Sequence, residues 1–350
     1  MELAPDSEKI SIPKIFENEL EDESERAQNC YDEKFSNLPS DSRWRSIYNY
    51  YQYQDFWLYP HHLEGLISAQ EHFIAKPTDI IISSGPKCGT TWLKALTFTI
   101  VTRSYFNCSN SPLLTTLSHG CIPFLEGKKS LKPPSTPGLI LPLLATHVPF
   151  DSLPKSILSS SCKIVYICRE PKDVFVSLWY HTRKLVQRGK AALELEEAFE
   201  LFCQGVSIYG PYWDHVLSYW KASMKWPQRI LFLKYEELMR DTFSYVKKLA
   251  EFIGYPFSSN EEKEGAIQKI INFCSFESIR NFEVNKSGKH YICGPSNLVE
   301  NSILYRKAEV GDWKNHLTPE MAERIDKITE QKLGHFALKF GVATENSEGN

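Results

Sequence analysis

A chain of 350 residues with 42% hydrophobic and 13% aromatic content fits a globular protein able to bury a large core. Its 40 basic and 43 acidic residues leave a net charge of -3, which gives no reason to expect nucleic acid or an anionic membrane as partner. Any anion site must therefore be local. No apolar run approaches the roughly 20 residues of a membrane span, and the first residues lack the basic-then-apolar order of a signal peptide. The nine cysteines are an odd number without short spacings, which argues against a disulfide framework or a zinc site and for a reduced, cytoplasmic protein.

In chain order, residues 1 to 40 are polar and acid-rich and read as a flexible tail. Aromatics crowd from Trp44 to Trp57. They read equally as a segment laid over the core or as a wall of an apolar pocket. A helix is expected over Leu63 to Phe73. Ile80-Ile81-Ile82 reads as a buried parallel strand, which Gly85 and Pro86 break. Leu93, Leu96, Thr97 and Ile100 then follow helical spacing. Asn107 to Pro137 is a long loop of the kind that carries function. Further strands are expected at Leu139–Ala145, Lys163–Cys168 and Arg229–Lys234. Helices are expected after Pro171, in one or two pieces over Glu194–Tyr219 with a break near Gly210-Pro211, over Phe243–Phe252 and over Thr318–Lys332. Residues 341 to 350 form a polar tail, and there is no internal repeat.

Strands alternating with helices predict an α/β fold, a single domain over residues 41 to 340 with a mostly parallel central sheet flanked by helices. Right-handed crossovers put the loops that follow the strands on one edge, where ligands bind. Lys87, His147, Arg169 and Tyr235 each follow a strand and can converge there.

The first of these loops suits a phosphate. Helix N-termini present unpaired N–H groups and partial positive charge. Gly89 lets an anion approach, Thr90 and Thr91 add hydroxyls, and Lys87 adds a full charge. The order is not that of a Walker A loop, which needs Gly-Lys-Ser/Thr. Arg169 at a strand end and Ser177 on the next helix can share a phosphate; the bland alternative is an ion pair of Arg169 with Glu170 or Asp173. Arg306 and Lys307 form a second basic pair, or else a solvated loop. His147 is the candidate general base, since an ordinary histidine pKa of about 6.5 leaves it able to take a proton.

Together these residues form a pattern. Gly85-Pro86-Lys87-Cys88-Gly89-Thr90-Thr91-Trp92 resembles the 5′-phosphosulfate-binding loop of the cytosolic sulfotransferases. Tyr166 to Asp173, with Ser177, resembles their 3′-phosphate segment, and Arg306-Lys307 with Gly311-Asp312-Trp313-Lys314 their C-terminal signature. Phe232 to Leu238 and Cys274 to Glu277 also fit, and Leu317-Thr318-Pro319-Glu320-Met321 is similar to the plant branch. The resemblance covers about residues 55 to 335. It implies transfer of a sulfuryl group from 3′-phosphoadenosine 5′-phosphosulfate (PAPS) to a hydroxyl of a small plant metabolite, with PAPS as co-substrate and no metal. The family's acceptors include flavonoids, steroids, hydroxyjasmonates, strigolactone-like compounds and desulfoglucosinolates. By resemblance, Lys87 stabilises the leaving phosphate and His147 deprotonates the acceptor. Cys88, Gly89, Thr90, Thr91 and Trp92 hold the 5′ end and the adenine. Arg169, Ser177, Arg306, Lys307 and Ala308 surround the 3′-phosphate, and Tyr235, Cys274, Ser275 and Phe276 line the adenosine site.

Three positions depart from the family. Gly85 replaces an aromatic residue and would enlarge the pocket, Cys88 replaces Ser or Thr and would weaken a phosphate contact made by that hydroxyl, and Ala308 replaces a glycine and would crowd the 3′-phosphate if the backbone there must approach closely or needs a positive φ. Pro319 replaces the valine of the animal dimer motif and removes a backbone donor, so a monomer is expected. Two other functions are set against transfer of sulfate. A catalytically impaired nucleotide-binding homologue would fit the three departures. A P-loop kinase using ATP is opposed by the loop order and by the second basic cluster.

Overall fold

Ile80, Ile81 and Ile82 occupy the centre of the protein, at most 2% exposed. The computed structural model describes residues 26–127, 141–186, 191–292 and 297–340. A small antiparallel sheet comes first, from β1 (Ser40–Asp41), β2 (Tyr50–Tyr53) and β3 (Phe56–Leu58). The central sheet holds β4 (Ile80–Ser84), β5 (Leu143–Thr146), β6 (Lys163–Cys168) and β7 (Ile230–Lys234), in the spatial order β5-β4-β6-β7. All three pairings are parallel. A short hairpin, β8 (Lys289–Tyr291) with β9 (Leu298–Glu300), lies near the C-terminus.

A parallel strand is covered on both faces, so its side chains alternate between two cores. Ile81, Ile164 and Tyr166 enter one apolar cluster, while Ile80, Ile82, Val165 and Ile167 enter the other. Each such aliphatic side chain contributes roughly 1.5–3 kcal/mol on burial. That is why continuous apolar runs, rather than alternating ones, mark these strands.

The longer helices that position the site are α1 (Pro60–His72), α2 (Thr90–Thr102), α3 (Pro171–Arg183), α4 (Leu195–Cys203), α5 (Tyr212–Lys225), α6 (Thr242–Phe252) and α7 (Pro319–Leu333). Proline opens α1, α3 and α7, where a missing N–H costs nothing. The break expected near Gly210-Pro211 falls between α4 and α5.

Two expected boundaries move. The tail to residue 40 is too long, because residues 26–34 are helical. Tyr31 stacks with Phe35 four residues on, Tyr31 meets Tyr48 edge-on at 5.6 Å, and Phe35 reaches Tyr51 at 5.3 Å. An acidic composition hides this one aromatic face. The second strand begins at Leu143 rather than Leu139. Residues 1–25, 341–350 and the end of the long loop lie outside the described residues. Of the aromatics from Trp44 to Trp57, Trp44, Tyr50 and Tyr51 are at most 2% exposed, so this segment covers the core. Among the described residues no helix is long and apolar enough to cross a membrane.

Candidate active site

The loop from Ser84 to Thr90 turns twice through left-handed backbone, at Lys87 (φ 67) and at Gly89 (φ 101). Such turns point successive N–H groups into one concavity, an anion-binding arrangement at the start of α2. Gly89 is needed for space as well, since a Cβ there would stand 2.8 Å from the Tyr235 ring. Burial, with Arg306, Arg169 and Lys184 nearby, pulls the Lys87 ammonium down to about 7. Cations this close repel one another, and an anion among them relieves that repulsion.

The hydroxyl of Thr90 shares a hydrogen bond with Ser84 Oγ at 2.6 Å. Thr91 and Trp92 are half-buried, and Trp92 meets Tyr235 edge-on at 5.9 Å. Cys88 does not fit the phosphate-contact role of its side chain. Its thiol is fully buried 3.9 Å from the Tyr212 hydroxyl, and burial pushes it up to about 12. Gly85 opens less space than expected, because Tyr212 already fills it: a Cβ at Gly85 would lie 3.4 Å from the Tyr212 ring.

Arg169 and Ser177 are both 6% exposed, at the end of β6 and on α3. Arg169 donates from Nη2 to the Glu309 carbonyl at 2.5 Å, lies 3.4 Å from Asp173 and packs over the Tyr235 ring at 4.5 Å. The expected bland ion pair is therefore present, yet the buried Nε of Arg169 has no partner among the described residues. Asp173 accepts from the N–H groups of Gly311 at 2.7 Å and Trp313 at 3.0 Å. It thereby fastens the C-terminal segment against α3. In that segment Asp312, 2% exposed, accepts from Arg306 and, at 2.7 Å, from Lys307. These bonds outweigh burial and hold its carboxyl well below the usual range. Ala308 takes φ 59, the strained region, and its carbonyl accepts from the Tyr235 hydroxyl at 3.3 Å.

The expected adenosine wall divides. Tyr235 stands against Gly89 and Arg169 as described. Ser275 caps the helix Phe276–Asn281, accepting from Ser278 N–H at 3.2 Å, and Phe276 lies 6.4 Å from the Tyr305 ring. Cys274 is a packing residue instead, fully buried with its sulfur 3.3 Å from the Thr99 hydroxyl.

His147 follows β5 directly. Its Nδ1 lies 2.7 Å from the Ser84 carbonyl, which can only accept, so Nδ1 carries the proton and Nε2 keeps a lone pair. Burial lowers the imidazole to about 3 and keeps it neutral. Its main chain is clamped on both sides. Its N–H donates to Glu126 at 2.7 Å, and its carbonyl accepts from His215 Nε2 at 2.9 Å. Glu126, 1% exposed, also accepts from Thr146 at 2.9 Å and Tyr209 at 3.2 Å. Tyr209 faces His147 at 5.4 Å and stacks with His62 at 5.6 Å. No sequence signal marks Glu126 or Tyr209, which lie in loops and act through distant partners.

The chain is similar to known proteins in sequence and in fold. A family model described as a sulfotransferase domain matches residues 77–337. A flavonol sulfotransferase-like protein of Flaveria bidentis is 51% identical over 288 residues, 82% of this chain and 92% of its own. Among solved structures, a putative steroid sulphotransferase of Arabidopsis thaliana is 37% identical with a TM-score of 0.67, over 88% of this chain and 94% of its own. A mouse sulfotransferase in complex with PAP is 26% identical with a TM-score of 0.61, over 81% and 94%. The chain belongs to the sulfotransferase family.

Proposed function

We propose that this enzyme transfers a sulfuryl group from PAPS to a phenolic hydroxyl of a small plant metabolite of the flavonol type. PAPS supplies an activated sulfuryl group whose leaving group is a phosphate. The Lys87 loop holds that 5′ end. Arg169, Ser177, Arg306 and Lys307 hold the 3′-phosphate, with the Ala308 backbone beside them, and Trp92, Tyr235 and Phe276 flank the adenosine. The observation that carries this reading is the pairing of a basic, glycine-shaped loop with a second cation set, of which Arg169 is buried with its Nε unpaired among the described residues. A donor with phosphates at both ends matches both.

The acceptor oxygen attacks sulfur while its proton passes to Nε2 of His147. The bond from sulfur to the bridging oxygen breaks, and the charge left on the phosphate is met by Lys87. Transfer of this kind needs positioning and charge stabilisation rather than a covalent intermediate. The flavonol class is supported by the name of the Flaveria relative. We place the enzyme in the cytoplasm, as a monomer. Pro319 serves here as the first residue of α7, behind the Thr318 cap.

The test is transfer of labelled sulfate from PAPS to a panel of flavonols without added metal, with His147→Ala as control. Product from the wild type and none from the variant is expected. A reading as an impaired binding protein is favoured by the strained Ala308. Tight binding of 3′,5′-ADP with no transfer to any acceptor would establish that reading instead.

A further inference from the structure

Lys94 lies in the second turn of α2, four residues beyond Thr90, and is completely buried. Among the described residues its amine has no hydrogen-bond partner, and it rests 3.4 Å from the centroid of Phe124. His119 meets the same ring edge-on at 5.1 Å, and its buried Nδ1 likewise has no partner among them. The Phe124 ring is 4.8 Å from that of His147. Two unpaired nitrogens thus lie around one ring next to the general base.

An unpaired buried amine destabilises a core, whereas methionine would fill the same space without that penalty. Glu126 attracts it electrostatically but makes no hydrogen bond with it, its oxygens accepting instead from His147, Tyr209 and Thr146. A buried amine with no hydrogen-bond partner among the described residues is explained by a polar group that arrives with a ligand. Burial drives both Lys94 and His119 toward their neutral forms. A neutral amine is a strong acceptor for an acidic O–H, and a phenol is more acidic than an alkyl hydroxyl.

We propose that Lys94 and His119 form a polar anchor for a second, phenolic hydroxyl of the acceptor, beside Phe124 and one ring away from the hydroxyl that reacts at His147. This rests on the transfer reading above and narrows it. An acceptor with a single hydroxyl leaves the anchor unpaired, while a polyhydroxylated aromatic satisfies both positions. Lys94 is a specificity residue here and takes no part in the bond changes.

The test uses the full chain, wild type and Lys94→Met. The probes are a flavonol with several phenolic hydroxyls and analogues in which each hydroxyl in turn is replaced by hydrogen. KM and kcat are measured, together with direct binding of each probe in the presence of 3′,5′-ADP. The wild type should bind one particular deoxy analogue about tenfold to a hundredfold more weakly than the parent. Lys94→Met should erase that difference, raise KM for the parent far more than it lowers kcat, and unfold at an equal or higher temperature. Should Lys94→Met fail to fold, His119→Phe provides the same comparison. Equal losses for all analogues in the variant, no discrimination by the wild type, or no binding of any probe would overturn the anchor. Discriminating, Lys94-dependent binding without transfer would uphold the anchor while refuting the transfer reading.

Discussion

At the scale of single residues, the proposed role of Lys87 gives it a charge that depends on its ligand. With a pKa of about 7 it is near half-protonated at neutral pH. A bound phosphate favours the protonated form, so binding of 3′,5′-ADP should take up a proton. Affinity should fall as pH rises above about 7. Titration calorimetry in buffers of differing ionisation heat checks both effects, and Lys87→Ala should abolish the uptake. The same variant should slow transfer by about 10²–10³-fold, the effect of removing one donor from a developing oxyanion. Arg169→Ala should weaken 3′,5′-ADP by about 1.5–3 kcal/mol, the range for a hydrogen bond to a charged group. It should leave 5′-ADP nearly unaffected; equal losses would remove Arg169 from the 3′-phosphate. Ala308 at φ 59 predicts the opposite sign. Ala308→Gly should stabilise the folded protein by up to about 1 kcal/mol, as relief of left-handed strain does, measured by denaturant titration.

At the scale of elements, the turn between β4 and α2 depends on Gly89 twice, for backbone conformation and for clearance from Tyr235. Gly265 also has positive φ, but a Cβ added there would meet nothing within 4 Å. Gly89→Ala should therefore lower stability more than Gly265→Ala, by about 1–3 kcal/mol against about 1. Similar losses in thermal unfolding would show that Tyr235 simply moves aside. The core strands are legible in the sequence because a strand covered on both faces needs an unbroken apolar run, and Ile80–Ile82 and Ile164–Ile167 supply it. The loops at their ends are legible because Lys87, His147 and Arg169 lie beside strand boundaries. Lys94 is not, since a lysine one residue after Leu93 reads as the solvent side of a helix. Its burial comes from packing at Phe124, far along the chain in a loop without regular pattern. The thiols of Cys88 and Cys274 escape for the converse reason: motif position says nothing of which way a side chain turns.

At the scale of the molecule, desolvation lowers the half-buried His62 and His147 and the fully buried His215 to about 3, 3 and 4 and keeps them neutral. Each titrates near 6.5 when unfolded, so between those values the unfolded chain binds more protons. Stability should accordingly decline as pH falls from about 6.5 toward 4. Substituting His62, which is outside the bond-making pair, should flatten that slope in thermal scans across pH; an unchanged slope would assign the loss to other groups. The bonds from Asp173 to Gly311 and Trp313 join parts of the chain 138 and 140 positions apart. Arg169 and Arg306 can therefore face a common ligand only after nearly the whole domain has been synthesised and its last segment has closed over α3. A chain still emerging from the ribosome has the Lys87 loop but not its opposite wall. On the proposed reading, the ability to hold a doubly phosphorylated nucleotide thus arrives late in biogenesis, and ligand capture becomes a report that the last segment has closed.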